Sequence, residues 1–170
     1  MGNLILLENH TTRQEGSQVA QTWTQTGPLT DLLNRQVADW AVLYMKLHHF
    51  HWYVKGPAFY TLHAKFQEMY EEAAEHLDAL AERVLTLGGE PPSTMAEMLK
   101  STAVREAQKG ETAERMVAEL ADDYARIAAD LGEIIRQAEM DNDQPTADLL
   151  TQIRASAEKH RWMLQAYLGK

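Results

Sequence analysis

The chain has no cysteine among its 170 residues. That single absence removes a disulfide framework, a zinc–thiolate site, an iron–sulfur cluster and thiol catalysis. Long apolar runs are missing too. The longest, residues 4–7 and 40–45, fall far short of the roughly 20 residues a membrane-spanning helix needs. No basic stretch leads into an apolar one at the start, and Leu6 stands where myristoylation requires Ser or Thr. The expectation is a soluble cytoplasmic protein. Positive charge is also scarce, with 16 Lys and Arg against 25 Asp and Glu and a net charge of −9. This balance argues against a general polyanion binder and suits a cationic partner such as a metal ion. What is present, 45% hydrophobic and 24% charged residues, is ordinary globular material in an amount that fits one domain.

Residues 1–26 are polar without a sustained period and read as a flexible tail, leaving 27–170 as the domain. From Gly27-Pro28 the pattern becomes helical. Leu29, Leu33, Val37, Trp40, Tyr44, Leu47 and His51 form one stripe, ended by Gly56-Pro57. A second stripe runs through Leu62, Phe66, Tyr70, Ala73, Leu77, Leu80, Val84 and Leu87 to Gly88-Gly89. Thr94 and Glu97 predict a capping box for a short helix near 95–100. Met116, Leu120, Tyr124, Ile127, Leu131, Ile134 and Ala138 mark a third long helix. Leu149, Ile153, Ala157, His160, Leu164 and Tyr167 mark a fourth, with Pro145 in its first turn. No segment alternates with period two. The fold class is therefore all-α: a four-helix bundle with a short extra helix in the long linker between helices 2 and 3.

Candidate metal ligands gather on the first two long helices. At about 100° per residue, His63, Gln67, Asp78 and Glu82 share one face of the second helix. Yet His63 and Asp78 lie about 22 Å apart along the axis, and His63 and Glu82 about 28 Å. Ligands sit within roughly 2–2.5 Å of an ion, so no single site joins them. One chain carries two half-sites. A two-fold axis that lays two copies of this helix antiparallel would join them, because the pairs 63/82 and 67/78 share a midpoint near residue 72–73, beside small Ala73 and Ala74. The first hairpin turns near Pro57, midway between 51 and 63, which places His51 opposite His63. The assembled site is then His51, His63 and Gln67 from one subunit with Asp78 and Glu82 from the other. Imidazole plus carboxylate suits iron, manganese or zinc rather than calcium, and two bridging carboxylates admit a pair of ions.

These residues resemble a known family. The strings F-H-W-Y-V-K-G-P, T-L-H-x-K-F and H-L-D-x-L-A-E-R are similar to those of Dps, the DNA-binding protein from starved cells, a mini-ferritin. The resemblance spans roughly residues 28–170. It implies a ferritin-like bundle assembled into a hollow dodecamer. It also implies oxidation of iron(II) by hydrogen peroxide at di-iron sites between subunits, storage of ferric mineral and protection of DNA from oxidative damage. His51, His63, Asp78 and Glu82 match its ferroxidase ligands. Position 67 departs: the family's usual Asp or Glu is replaced by Gln67, which offers only a carbonyl oxygen and removes a negative charge. Glu71, one turn on, is a weaker substitute. The Glu-x-x-His motif of larger ferritins is absent, which argues against a di-iron centre inside the bundle.

Plainer readings stand beside these. Asp78 and Glu82 could be a solvated face, with Glu82 paired to Arg83. Trp52 follows a ligand and either anchors a hydrogen bond or intercepts an oxidising hole, or merely packs an interface. His48, His49 and His76 read as packing or surface residues, and His160 as a satisfied core histidine. Asp141, Asp143 and Asp148 surround a helix start, where capping explains Asp143. As the resemblance implies, they are also candidates for an acidic pore that draws cations inward. The rival function is a DNA-compacting nucleoid protein with little ferroxidase activity. Residues 1–30 hold no lysine, so direct DNA binding is not expected.

Overall fold

A computed structural model of the chain describes residues 27–170; the polar segment 1–26, read above as a tail, lies outside the described residues. Five helices follow in order: α1 (Pro28–Tyr53), α2 (Phe59–Thr86), α3 (Met95–Ser101), α4 (Ala113–Met140) and α5 (Gln144–Tyr167). No strand occurs among the described residues. Pro28 starts α1 where its missing N–H costs nothing. The helix ends at Tyr53, three residues before Gly56, because Val54 leaves helical geometry with its N–H still bonded to Phe50 O. Gly56 then takes φ 104°, a left-handed conformation that a side chain would resist, and so turns the chain tightly into α2. The predicted capping box is present: Thr94 Oγ1 accepts from Glu97 N, and Glu97 Oε2 accepts from Thr94 N at 3.0 Å. Asp143 caps α5 by accepting from Thr146 N, with Pro145 in the first turn.

The stripes predicted from periodicity supply much of the core: Leu33, Leu47, Phe66, Leu80, Leu120, Ile127 and Leu131 are fully enclosed, whereas Leu43 and Leu150 are enclosed where the pattern pointed to their neighbours Tyr44 and Leu149, which are only partly buried. Leu87 and Tyr167 are exposed, one at the end of α2 and the other at the end of α5. The bundle is two hairpins, α1 on α2 and α4 on α5, with α3 laid along α1. Polar bridges stitch the hairpins together. Lys46 on α1, almost wholly buried, donates to Asp123 on α4 at 2.7 Å and lies 3.3 Å from Glu119. Arg83 on α2 reaches Asp143 at 2.6 Å and Thr146 at 2.7 Å. Glu72 on α2 accepts from His160 and Ser156 on α5. Buried Asp39 ties the linker down by accepting from Thr102 Oγ1 and Ala103 N, each at 2.7 Å. The linker is thereby held along α1, and α4 begins beside the α1–α2 turn.

Candidate metal centre

The tight turn sets the register of α1 against α2 so that two imidazoles meet. His51 and His63 stack with centroids 3.7 Å apart and planes 20° from parallel. Each is locked by the other's backbone. His51 Nδ1–H donates to His63 O at 2.8 Å, and His63 Nδ1–H donates to His51 O at 2.8 Å. A carbonyl can only accept, so the proton of each neutral ring sits on Nδ1 and the lone pair on Nε2. Neither Nε2 finds a hydrogen-bond partner among the described residues. This orientation is what a metal-binding histidine requires, with its second nitrogen fixing tautomer and ring angle.

Gln67 is exposed one turn beyond His63 and donates its amide to Glu71 Oε1 at 2.9 Å. That bond directs the amide nitrogen away and leaves the carbonyl oxygen as the free end. Asp78 and Glu82 are exposed further along α2 and make no hydrogen bond or ion pair among the described residues. The suggested Glu82–Arg83 pairing does not form, because Arg83 is engaged by Asp143, Thr146 and Thr86. α2 is one uninterrupted helix of 28 residues, so the axial separation of about 22 Å between His63 and Asp78 holds. Among the described residues no three His, Asp or Glu side chains converge on a point where they could hold a metal ion. The chain joins His51 to His63 and keeps Asp78 and Glu82 apart from them.

The remaining candidates fall as follows. Trp52 is 60% exposed and lies against His48, 5.2 Å between centroids. His48 stacks on Tyr70 at 3.8 Å, and burial, followed by the nearby His51, lowers its pKa. His49 Nε2 donates to Gln108 O, and His76 packs edge-on against Trp40. His160 is buried with Nε2 on Glu72, but its Nδ1 lacks a partner, so it is only half satisfied. Asp143 is occupied by the cap and by Arg83; these bonds lower its pKa although burial works the other way. Asp141 and Asp148 are exposed and held by Gln137 and Gln144. Periodicity assigns Tyr70 only to the core stripe, although it stands seven residues, two helical turns, beyond His63. That i+7 spacing was the available signal. It brings the ring edge-on to His51 at 5.4 Å.

A four-helix bundle with one long crossover, its paired imidazoles set where two helices leave the core, is a ferritin-like architecture. Residues 30–170 match the ferritin-like domain family. The chain is 50% identical over 140 residues to DNA protection during starvation protein 2 of Bacillus anthracis, covering 82% of this chain and 96% of that one. It is 37% identical over 142 residues to the DNA protection during starvation protein of Listeria innocua, covering 82% and 91%. A crystal structure of Dps from Staphylococcus aureus superposes with a TM-score of 0.81 at 46% identity, covering 82% of this chain and 94% of that one. The chain belongs to the Dps family of ferritin-like proteins. Among the described residues no helix is long and apolar enough to cross a membrane.

Proposed function

We propose that this chain is the subunit of an iron-oxidising and iron-storing cage that protects DNA by removing iron(II) and peroxide together. The observation that carries the reading is the reciprocal pair of 2.8 Å bonds between His51 and His63, which turns two Nε2 lone pairs into a prepared half-site for a divalent cation. Asp78 and Glu82, exposed and unpaired among the described residues, are the complementary half. Two copies of α2 running antiparallel about residues 72–73 bring His51, His63 and Gln67 of one subunit to Asp78 and Glu82 of the next.

Iron(II) is the substrate at this pocket. Two ions each give one electron to one hydrogen peroxide, whose O–O bond breaks to two hydroxides. Because both electrons arrive together, no free hydroxyl radical forms. The carboxylates hold the cationic product and the imidazoles set its position. Ferric hydrolysis then deposits mineral inside a dodecamer built from such two-fold pairs, and exposed Asp141 and Asp148, each held by one neighbouring glutamine, are the pore candidates.

Stopped-flow oxidation of iron(II) by peroxide tests this. The Asp78→Ala, Glu82→Ala double variant is expected to lose the fast phase while keeping its helical circular dichroism. A double variant that reacts like wild type overturns the site.

A further inference from the structure

We propose that Glu71 is a positioning residue that makes Gln67 a cation ligand. Its carboxylate holds and polarises the Gln67 amide, so that the carbonyl oxygen brings added negative charge to the His51/His63 half-site. The proposal rests on the metal-pocket reading above and deepens it.

A glutamine amide has two unlike ends, and its surroundings decide which of them faces a ligand. Gln67 Nε2 donates to Glu71 Oε1 at 2.9 Å, one helical turn on. A carboxylate can only accept, so the NH2 end is committed; a reversed amide would set oxygen against oxygen. Gln67 Oε1 makes no hydrogen bond among the described residues and is the end left for a cation. Glu71 has no other hydrogen bond or ion pair among the described residues. Lys65, the nearest lysine before it on α2, is taken by Glu68 at 2.7 Å. The charge of Glu71 is therefore directed at the Gln67 amide.

Reach decides that Glu71 acts through Gln67 and not as a ligand in its own right. Along α2, Gln67 stands about 6 Å from His63, and Glu71 about 12 Å. Ligand atoms sit within roughly 2–2.5 Å of an ion. Glu71 starts a full turn beyond the residue that can share a cation with His63, and its carboxylate is held on the amide nitrogen. Hydrogen bonds in series polarise one another, so an N–H drawn to a carboxylate shifts electron density onto the carbonyl oxygen. Gln67 Oε1 becomes a donor intermediate between an ordinary amide and a carboxylate. His51 and His63 follow the same logic, each with Nδ1 bonded to a backbone carbonyl and Nε2 left free. All three side chains of the half-site are thus set from behind by a group that does not touch the cation.

Cobalt(II) titration of the assembled protein tests this, because it needs neither peroxide nor turnover and its visible absorption reports the ligand set. Native mass spectrometry checks that each variant keeps the wild-type subunit count. Glu71→Gln keeps an accepting oxygen but loses the charge, and is expected to weaken the weaker cobalt(II) position about tenfold, the low end of the cost of losing such a supporting group. Glu71→Ala, which loses bond and charge, is expected to weaken it further. In a Gln67→Ala background, Glu71→Gln is expected to change nothing, because the group it acts through is gone. The exchanged pair, Gln67→Glu with Glu71→Gln, is expected to bind at least as tightly as wild type. Isotherms indifferent to both Glu71 variants overturn the proposal. So does a loss of equal size with and without Gln67, which would make the charge of Glu71 itself the cause. A wild type that takes up no cobalt(II) overturns the pocket and the proposal together. Glu71-dependent cobalt(II) binding in a wild type that does not oxidise iron(II) upholds the role of Glu71 and removes the iron-oxidation reading instead.

Discussion

Complementation between two inactive chains separates a shared pocket from one held within a single subunit. One parent carries His51→Ala and His63→Ala; the other carries Asp78→Ala and Glu82→Ala. If each pocket takes imidazoles from one chain and carboxylates from its neighbour, both parents are dead at every pocket. In a hybrid pair one pocket has lost both halves, while the other keeps both. Random assortment from equal amounts makes about half of the two-fold pairs hybrids, each with one intact pocket of two, so about a quarter of wild-type pockets return. The axial separation of about 22 Å between His63 and Asp78 along an unbroken α2 gives the in-chain alternative no geometry. The assay is co-expression with distinguishable tags, native mass spectrometry to count hybrids, and the initial rate of peroxide-dependent iron oxidation. Circular dichroism checks that both parents are folded. A mixture with demonstrated hybrids that stays at the parental rate refutes the shared pocket.

Asp143→Ala removes the α5 cap and the partner of Arg83, which together predict a loss of about 2–3 kcal/mol, read from denaturant midpoints at fixed protein concentration. Glu72 has its folded pKa depressed, chiefly by the bond from His160 and then by His76, whose Nε2 lies 3.6 Å away. Its stabilising contribution is therefore complete above the ordinary carboxylate range and lost as pH falls below it, so Glu72→Gln is expected to flatten the acid limb of a pH–stability curve. Gln67→Glu adds negative charge to the imidazole half and is expected to raise occupancy of the second iron(II) position, measured by anaerobic binding titration; an unchanged isotherm would show that position 67 touches neither ion. At net charge −9 the protein is expected to leave duplex DNA unretarded in a gel at physiological salt, and a shift abolished by added salt would contradict this.

The helices were legible because their signals are local. Period 3.6 marked the core stripes, and Asp143, Pro145, Thr94 and Glu97 are boundary chemistry that acts within four residues. The opposition of His51 and His63 was legible because a short hairpin converts sequence distance into register. The bridges between hairpins were not. Lys46 meets Asp123 across 77 positions and Glu72 meets His160 across 88, and no period or spacing on one helix reports what a distant helix presents to it. Asp39 likewise gives no hint in sequence that it anchors a linker more than 60 residues away. Tyr70 was hidden for a different reason: an aromatic on an apolar stripe looks like core until its neighbours are known. The reciprocal imidazole–carbonyl bonds are backbone contacts, on which side-chain patterns are silent.

The two halves of the pocket differ in how they are held, and this bears on assembly. The imidazole half is fixed within the chain by its own hairpin and keeps its geometry whether or not a neighbour is present. The acidic half shows no such support, as Asp78 and Glu82 stand exposed without a partner among the described residues. Bringing those carboxylates against a neighbour's uncharged ligands removes water from two charges and returns nothing until a cation arrives. If the two α2 helices pair as proposed, metal uptake and pairing are therefore linked. A cation that binds only the paired state adds RT ln(1 + [L]/Kd), about 2.7 kcal/mol at a hundredfold excess over Kd, to the stability of the pair. On the proposed pairing, the two-fold contact is therefore expected to be more stable with the cation bound than without it, and dissociation of the assembly on metal removal is the measurement that checks this.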